Sequence, residues 1–532
     1  MIITPRNKCP IIFLLTLLMS SCIYQNETAF ERVVDYYSST GNELKVKAAS
    51  YLQENSMWHF GVSRHLNKSF GLTYKDALMV DSLRGDSVFQ VYFDSCGICV
   101  ISDAPVLDRD TISDKFLREN IDLAFDSWQK PWSKSVGFED FCRYILPYRN
   151  GDEELNDWRK YFKNKYEASI ADSVSNPSNV RDVVDYLLRC IRREVSYGGS
   201  MGLVCRSYLT PEMMERLHWM ECKGCAHYTT LAMRACGIPC STIEINWRFT
   251  EVPHYSVLFP AIGNNERAFR ATVGDTVIYM GEPKDSMAAW RVWEMDYEAD
   301  KARQDLLDEY FDNPQLKKFF YPVTRSDITA LMCKTYDLSM PVPDSLRDEK
   351  NLFLCRFHDW KWLPVREGTV DGDSVRFKNA TIRQWYRMGY ANGDSISTFG
   401  GTFTLVGGDG VTDVKNRIQP YGLPGDTILF RLAYRDQVKE GKLLRKITTY
   451  YWDEHNKWHK LTGTAVLWGF NPKTGEYKVF DESMRGGDFK PDFHLLDVRV
   501  PRWTVFYDKI LGSPHGFIQA DKETGEGCLM QF

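Results

Sequence analysis

Two side chains that could act together as a nucleophile and its base are Cys222 and His254. Cys222 stands just before a run of good helix formers, 226–236, which Gly237 ends. This spacing predicts that Cys222 lies at the N-terminus of a helix, where free amide N–H groups and the helix dipole favour a thiolate. His254 lies in an alternating run, 252–259, that predicts a half-buried strand. A thiolate with an imidazole nearby is suited to attack an amide carbonyl and form a thioester.

The residues around Cys222 resemble the catalytic segment of the transglutaminase-like superfamily, whose members are papain-type Cys-His-Asp enzymes. The likeness covers residues 180–290 and rests on several positions at fixed spacing: Cys222, Ala226, Arg234, Gly237, Ile238, Pro239 and His254. One position departs from the pattern, because Met220 stands where the family usually has glycine. The resemblance implies an α+β domain in which Cys222 is the nucleophile and His254 is the general base.

The third member of such a triad is an acid that orients the histidine. The family often has this acid four residues after an aromatic residue; if Phe269 is that aromatic, Val273 occupies the position and Asp275 follows. The resemblance implies Asp275 as the orienting group, although an aspartate beside a glycine is also typical of a turn. His227 is a rival base, but five residues along a helix place it off the face that carries the Cys222 thiol.

The chain has 14 cysteines, and these allow other interpretations of the same segment. The pair Cys222–Cys225 is a C-x-x-C motif, which at a helix start could be a redox pair. A second such motif, Cys96–Cys99, could complete a zinc site, although the two motifs are far apart for zinc knuckles. The pair Cys236–Cys240 could form a disulfide. Buried free thiols are the simpler interpretation of the other cysteines, and we expect neither a metal nor another cofactor.

Residues 1–22 have the pattern of a secretory leader, with an apolar stretch too short to span a bilayer. The leader ends in Leu-Met-Ser-Ser-Cys22, which is similar to a bacterial lipobox and predicts that Cys22 is the lipid-modified N-terminus. An ordinary secretory leader cut nearby is the alternative. We expect the polar residues 23–40 to be a tether. The protein would then be anchored in the cell envelope, on the periplasmic or the outer face, with the membrane as a partner.

The length of 532 residues exceeds a single core, and the patterns predict a multidomain α+β protein. Residues 41–165 predict a mainly helical N-terminal domain, within which Phe138–Arg149 resembles the N-terminal region of large secreted transglutaminase-like lipoproteins. Residues 166–320 predict the transglutaminase-like α+β domain, with strands on both sides of His254 and a return to helix over 285–311.

The pattern changes to short strand-like runs separated by turn residues from residue 321. Such spacing predicts two β-sandwich-like modules, 321–423 and 424–532. Some of their aromatic residues could form a sugar-binding platform, although most should belong to the core: Trp360, Trp362, Trp385, Trp452 and Trp458.

The composition constrains the partners. A net charge of -5 gives no support for a nucleic-acid partner. We expect a protein or peptide substrate, with cell-wall peptide or glycan among the candidates. The favoured function is therefore a thiol peptidase or amidase, with cross-linking as the less favoured outcome of the same thioester. The alternative is a non-catalytic surface protein that uses the same fold as a scaffold and its β modules to bind glycan or protein.

Overall fold

The computed structural model of the protein describes most of the chain between residues 27 and 405 and mainly strands beyond it. The residues described are 27–66, 100–197, 208–247, 253–274, 277–281, 283, 289–349, 351–358, 361–382, 384–405, 418–420, 427–434, 447–452, 458–463, 465–474, 477–484, 486–501, 505–507, 516–520 and 527–530. The predicted leader with Cys22, the Cys96–Cys99 motif and Asp275 lie outside the described residues.

Helices and antiparallel sheets both contribute to the chain, which therefore has the mixed α+β character that the sequence predicts. The internal contacts divide it into two units: unit 1 is Met1–Cys240 with Ile262–Glu266, and unit 2 is Ser241–Ala261 with Arg267–Phe532. The division after Cys240 assigns the Cys222 helix to unit 1 and the His254 strand to unit 2. The domain boundaries at residues 165, 320 and 423 stay predictions.

Unit 1 consists mainly of helices with buried apolar faces. The helices are α1 (Ala29–Thr40), α2 (Glu43–Asn55), α3 (Asp108–Thr111), α4 (Asp114–Trp128), α5 (Phe138–Tyr144), α6 (Trp158–Ser173), α7 (Val180–Glu194), α8 (Pro211–Leu217) and α9 (Cys222–Ala235). Short strands form three two-stranded pairs: β1 (Phe60–Gly61) with β4 (Val106–Leu107), β2 (Arg64–Leu66) with β3 (Val100–Ser102), and β5 (Ser196–Tyr197) with β6 (Trp219–Met220).

The polar segment 23–40 was expected to be a tether, and for residues 29–40 that expectation is wrong, because they form α1. The helix begins with a capping box in which the Thr28 and Glu31 side chains bond each other's backbone. Phe30, Val33 and Tyr37 recur at helical spacing and are buried. A short amphipathic helix therefore lies where the overall polarity of the segment suggested disorder.

The Cys222 helix, α9, is enclosed by other helices of unit 1. It packs against α4, α6 and α7, and its residues from Gly224 to Ala235 are buried. Helix α7 lies beside α9, and its buried residues repeat at three- and four-residue spacing. A helix covered on so many sides has little freedom to shift, which fixes the position of its first residue.

Unit 2 begins with a six-stranded antiparallel sheet in the order β10-β9-β8-β7-β11-β12. The strands are β7 (Ser241–Trp247), β8 (His254–Phe259), β9 (Phe269–Ala271), β10 (Ile278–Tyr279), β11 (Ala289–Met295) and β12 (Arg325–Asp327). The prediction of a helix over 285–311 is wrong for its first part, because β11 lies between β7 and β12. The consecutive residues Arg291, Val292 and Trp293 place their side chains on alternate faces of the sheet and are all buried, so this strand buries both faces.

Helices return after β11, and longer antiparallel sheets follow. The helices are α10 (Lys301–Glu309), α11 (Pro314–Phe320) and α12 (Thr329–Met332). A seven-stranded sheet has the order β13-β16-β15-β14-β17-β18-β19. Its strands are β13 (Thr335–Pro341), β14 (Asn351–His358), β15 (Lys361–Asp371), β16 (Ser374–Thr381), β17 (Trp385–Asn392), β18 (Ser395–Leu405) and β19 (Ile418–Pro420).

The remaining strands form a six-stranded sheet in the order β24-β23-β25-β20-β27-β28 and a three-stranded sheet in the order β22-β21-β26. They are β20 (Thr427–Tyr434), β21 (Ile447–Trp452), β22 (Trp458–Gly463), β23 (Ala465–Phe470), β24 (Tyr477–Val479), β25 (Lys490–Pro501), β26 (Val505–Tyr507), β27 (Gly516–Ala520) and β28 (Gly527–Met530). Strand-rich structure therefore follows residue 321, although β12 still belongs to the earlier sheet.

Candidate active site around Cys222

Cys222 is the first residue of α9, at the end that the sequence predicts. The preceding residue, Glu221, is extended, and its side chain does not cap the helix. The first amide N–H groups of a helix have no partner within the helix and carry its positive end. The Cys222 thiol is half-buried, so a substrate could reach it while these N–H groups faced a developing oxyanion.

The other end of α9 is held by Gly237. This residue has φ of 80°, a left-handed conformation that closes the helix. A Cβ there would lie 2.4 Å from the backbone oxygen of Ser127 in α4. The sequence predicts the helix stop, and the structure adds that only glycine lets α4 approach this closely.

The carboxylate of Glu215 accepts several hydrogen bonds and holds the segment that precedes Cys222. Glu215, in α8, accepts hydrogen bonds from the hydroxyls of Tyr228 at 2.6 Å and Tyr161 at 2.8 Å. Lys165 lies 3.0 Å from the same carboxylate. Burial, together with the nearby carboxylate, raises the pKa of both Tyr161 and Tyr228, so both remain donors. Glu215 thus joins α8 to α6 and α9, with its contacts on both sides of Cys222 in the sequence.

His227 lies five residues after Cys222 and is fully buried. The amide nitrogen of Asn150 lies 3.0 Å from Nδ1 of His227 and donates to it, which leaves the ring neutral with its proton on Nε2. The Nε2 atom is buried and has no hydrogen-bond partner of ordinary geometry among the described residues. Burial lowers the pKa of His227 and keeps the ring neutral. These contacts favour a structural role for His227 over its role as the rival base.

Buried charged residues lie in the segment that contains Asn150. The Arg149 guanidinium forms a two-pronged ion pair with Asp108, at 2.7 and 2.5 Å. The Glu153 carboxylate accepts backbone N–H groups of Asn150 and Gly151, each at 2.8 Å. Burial opposes both charges. The charge of His227 when it is protonated, Arg149 and the N–H groups nevertheless hold the pKa of Glu153 below its usual value, and Glu153 and Asp108 hold the pKa of Arg149 above its usual value. The segment 149–153 is therefore held by several hydrogen bonds to buried charged groups.

Arg159, also fully buried, has backbone oxygens among its hydrogen-bond acceptors. It donates to carbonyls of Ile145, Leu146 and Pro147 at 2.9 to 3.2 Å and to that of Arg234 at 3.1 Å. Burial and the nearby Arg234 lower the pKa of Arg159 to about 9. The carbonyls lie near the C-terminal ends of α5 and α9, where the helix dipoles stabilise a cation. Arg159 thus ties the end of the Cys222 helix to the segment after α5.

Arg234 explains one position of the resemblance. Its guanidinium donates to the carbonyl of Cys240 at 3.1 Å and to the carbonyl of Arg149 at 3.1 Å. The residue therefore holds the chain that leaves α9 against the segment that carries Arg149. Its role in this structure is to position α9.

His254 opens strand β8 in unit 2, where it is half-buried. It pairs with Ile245 across the sheet, and its ring stacks on Trp247 with 6.4 Å between centroids. The Trp247 ring limits the orientations that the imidazole can take. The strand position agrees with the sequence, whereas the pairing of His254 with Cys222 joins residues of different units and stays a prediction.

The acid of the triad is not placed, because Asp275 lies outside the described residues. Phe269 opens strand β9, and Val273, four residues later, is a buried apolar residue. Val273 therefore cannot supply the acid. The assignment of Asp275 remains a prediction from the resemblance.

The cysteines whose side chains the structure describes are free thiols: Cys142, Cys190, Cys222, Cys225, Cys236, Cys240, Cys333 and Cys355. A disulfide between Cys236 and Cys240 is therefore not formed in this structure, and the Cys240 thiol instead donates to the carbonyl of Thr230 at 3.7 Å. Burial raises the pKa of Cys142 and Cys240, each to about 12. Among the described thiols, only Cys222 and Cys190 are partly exposed.

Other predicted features are placed only in part. Within the described ranges, no cluster of three or more His, Cys, Asp or Glu side chains is arranged to hold a metal ion. In the same part of the chain, no helix has both the length and the apolar surface needed to cross a bilayer. Trp362 is half-buried beside Arg387, whose guanidinium lies 5.2 Å from its ring centroid. Trp385, Trp452 and Trp458 are located on strands, and Trp360 lies outside the description.

Sequence reasoning missed the residues that anchor α9, namely Glu215, Arg149, Glu153, Asn150 and Arg159. A signal existed for part of this set, because the resemblance over Phe138–Arg149 marked a stretch with several charged residues before a tryptophan. It did not indicate that this stretch contacts α9, since contacts between distant segments leave no local periodicity.

Comparison with known proteins does not assign the chain. It matches no model of a known protein family, and no curated protein matches it. Its function must be argued from the residues and their geometry.

Proposed function

We propose that this protein is a lipid-anchored, transglutaminase-like thiol enzyme that acts on amide bonds through Cys222. The observation that carries the proposal is a half-buried thiol at the first residue of a helix that is buried from Gly224 to Ala235. The proposal includes a helical N-terminal region, a transglutaminase-like α+β domain and two C-terminal β-sandwich-like modules. The antiparallel sheets after residue 321 are of the kind that sandwiches use.

The proposed chemistry begins with the thiol of Cys222. His254 takes the thiol proton, and the sulfur attacks the amide carbonyl carbon while the electron pair of the C=O bond moves to oxygen. The backbone N–H of Cys222 stabilises this oxyanion. The C–N bond then breaks, and His254 returns the proton to the leaving amine, which leaves a thioester on Cys222.

The thioester has two fates. Water, deprotonated by His254, attacks the carbonyl carbon, and the acid product leaves as the C–S bond breaks and the thiol is restored. An amine in place of water would give a new amide and hence a cross-link. Hydrolysis is the favoured outcome, which makes the protein a cysteine peptidase or amidase.

Two groups are proposed to orient His254. Asp275 would bond the imidazole nitrogen that does not face the thiol, and it would stabilise the imidazolium that forms. Trp247 supports the same ring by stacking. Removal of Asp275 would then lower the rate less than removal of the nucleophile.

The proposed partners follow from the same assignments. A protein or peptide would be the substrate, with cell-wall peptide or glycan among the candidates. Lipid on Cys22 would anchor the chain to the cell envelope. No cofactor enters the proposed chemistry.

Selective alkylation of the full chain tests the proposal. Iodoacetamide at neutral pH should modify Cys222 faster than Cys190, because Cys222 lies at the positive end of a helix dipole whereas Cys190 lies within α7. Peptide mapping by mass spectrometry measures both rates in one sample. Cys190 is a matched control, since both thiols are partly exposed.

Activity provides the second arm. Cys222→Ser should abolish release of amine from a peptide-amide library, and Cys190→Ser should leave it intact. Equal alkylation of both thiols, together with retained activity in Cys222→Ser, would contradict the proposal.

A second candidate function is a non-catalytic surface protein that binds glycan or protein through its β modules. The observation that favours it is Val273, buried where the triad acid would be expected. Unselective alkylation of Cys222 with retained glycan or protein binding would support this candidate instead.

A further inference from the structure

Cys225 lies one helical turn after Cys222, and both are within the first turns of α9. Three residues of α-helix advance 4.5 Å along the axis and return nearly to the same side, so their Cα atoms lie about 5 Å apart. Disulfides join Cα atoms about 4.4 to 6.8 Å apart. The two backbone positions therefore already have the separation that a disulfide needs.

The Cys225 side chain is directed toward the helical turn that contains Cys222. Helical side chains lean toward the N-terminus, over the turn that precedes them. The Cys225 sulfur follows this rule, since it lies 3.9 Å from the carbonyl oxygen of Met220, two residues before Cys222. Cys225 is fully buried, whereas Cys222 is half-buried. An accessible thiol thus stands beside a protected one.

We propose that Cys222 and Cys225 form a reversible disulfide that switches the Cys222 thiol off under oxidising conditions. The accessible Cys222 reacts first with a low-molecular-weight disulfide, and the buried Cys225 resolves the mixed disulfide. This role in regulation rests on the proposed function of Cys222 as nucleophile, whereas formation of the bond does not.

The reaction balances without a bound cofactor. The Cys222 thiolate attacks one sulfur of the oxidant, whose S–S bond breaks and releases one thiolate. Cys225 then loses its proton to solvent, and its sulfur attacks Cys222, displacing the second thiolate. Two protein thiols are oxidised to one disulfide, and one small disulfide is reduced to two thiols.

Other described thiols do not share this arrangement. Cys236 and Cys240 lie on either side of the left-handed turn at Gly237, and both are fully buried. Burial raises the pKa of both thiols, which suppresses the thiolate that exchange requires. They serve as an internal control for nonspecific oxidation.

The tryptic map of the chain allows a direct test. Trypsin cuts after Arg216, Lys223 and Arg234, so Cys222 and Cys225 fall on different peptides, 217–223 and 224–234. The full chain is equilibrated in glutathione buffers of increasing oxidised fraction, alkylated, digested and examined by mass spectrometry. We expect the two peptides to be joined in the oxidised samples and separate after dithiothreitol.

Two variants complete the test. Cys225→Ser should lose the joined peptides and carry glutathione on Cys222 instead, while reduced Cys222 is still alkylated at the wild-type rate. Cys236→Ser should behave as wild type. The proposal is overturned if wild-type Cys222 carries glutathione at every buffer ratio and the joined peptides never appear.

Activity separates this inference from the proposed function. Amide cleavage should be lost in the oxidised sample and return with dithiothreitol, and in Cys225→Ser the same oxidation should leave a glutathione adduct. Joined peptides without any activity in the reduced protein would refute the proposed enzyme and leave the disulfide standing. Amide cleavage by the reduced protein, without joined peptides in any oxidised sample, would refute the disulfide and leave the proposed enzyme standing.

Discussion

At the scale of single residues, buried charges distinguish this structure from an ordinary helical core. Arg149 and Asp108 form an ion pair whose side chains are each 1% exposed. Removing one partner of a buried pair leaves the other charge without compensation, which typically costs about 3–5 kcal/mol. Arg149→Met should therefore lower the stability strongly, as measured by calorimetric melting of the full chain.

The chain offers a matched control for this variant. Arg32 forms a comparable two-pronged pair with Asp114, but on the surface, where solvent screens the interaction. Arg32→Met should leave the melting temperature almost unchanged. Equal shifts in the two variants would show that burial of the Arg149 pair has no special weight.

His227 gives a prediction for acid conditions. Burial lowers the pKa of His227 in the folded protein, whereas the unfolded chain has the ordinary value of about 6.5. Below that pH the unfolded state binds a proton that the folded state does not, so His227 makes stability fall as the pH drops. Between about pH 6.5 and 5, His227→Gln should lose less stability than wild type, because glutamine keeps an acceptor for Asn150 and does not titrate. Thermal melts across this range measure the difference, and identical pH profiles would contradict it.

At the scale of elements, α9 is held in its middle and at its C-terminal end. Glu215 accepts a hydrogen bond from Tyr228 in the middle of the helix, and Arg159, Arg234 and Gly237 fix its end. A nucleophile on such a helix keeps its place while a substrate binds, which supports preorganised chemistry.

Gly237 provides the test at this scale. Gly237→Ala would combine a left-handed backbone, which costs about 1–2 kcal/mol for other residues, with the clash against Ser127. Gly41→Ala is the control, because φ of 69° is also left-handed but a Cβ there meets nothing within 4 Å. We expect a larger fall in melting temperature for Gly237→Ala than for Gly41→Ala. Similar falls would show that α4 moves aside at little cost.

At the scale of the whole molecule, the sequence of the leader predicts that the protein is anchored to a membrane. Cys22 ends a short apolar segment similar to a lipobox, and stable anchoring by lipid requires more than one acyl chain. Cys22→Ser should therefore shift the protein from the membrane fraction to the soluble fraction. Immunoblots of the two fractions measure the shift, and mass spectrometry finding an unmodified N-terminus beyond residue 22 would contradict it.

Local patterns in the sequence determined the course of α9, its stop at Gly237, the strand that begins at His254 and the general α+β character of the chain. These features depend on residues a few positions apart, so periodicity and turn chemistry predict them. The same local patterns predicted that Cys222 lies at the start of a helix. This position is the part of the candidate site that depends on local structure.

Only the tertiary structure decided that 289–295 is a strand and that Arg149 and Glu215 contact α9. The strand depends on two neighbours that supply its hydrogen bonds, β7 and β12. Arg149 is buried because Asp108, which is distant in sequence, neutralises it, and such a partner leaves no mark on local composition. Pairing across long stretches of chain is therefore the information that the sequence alone did not reveal.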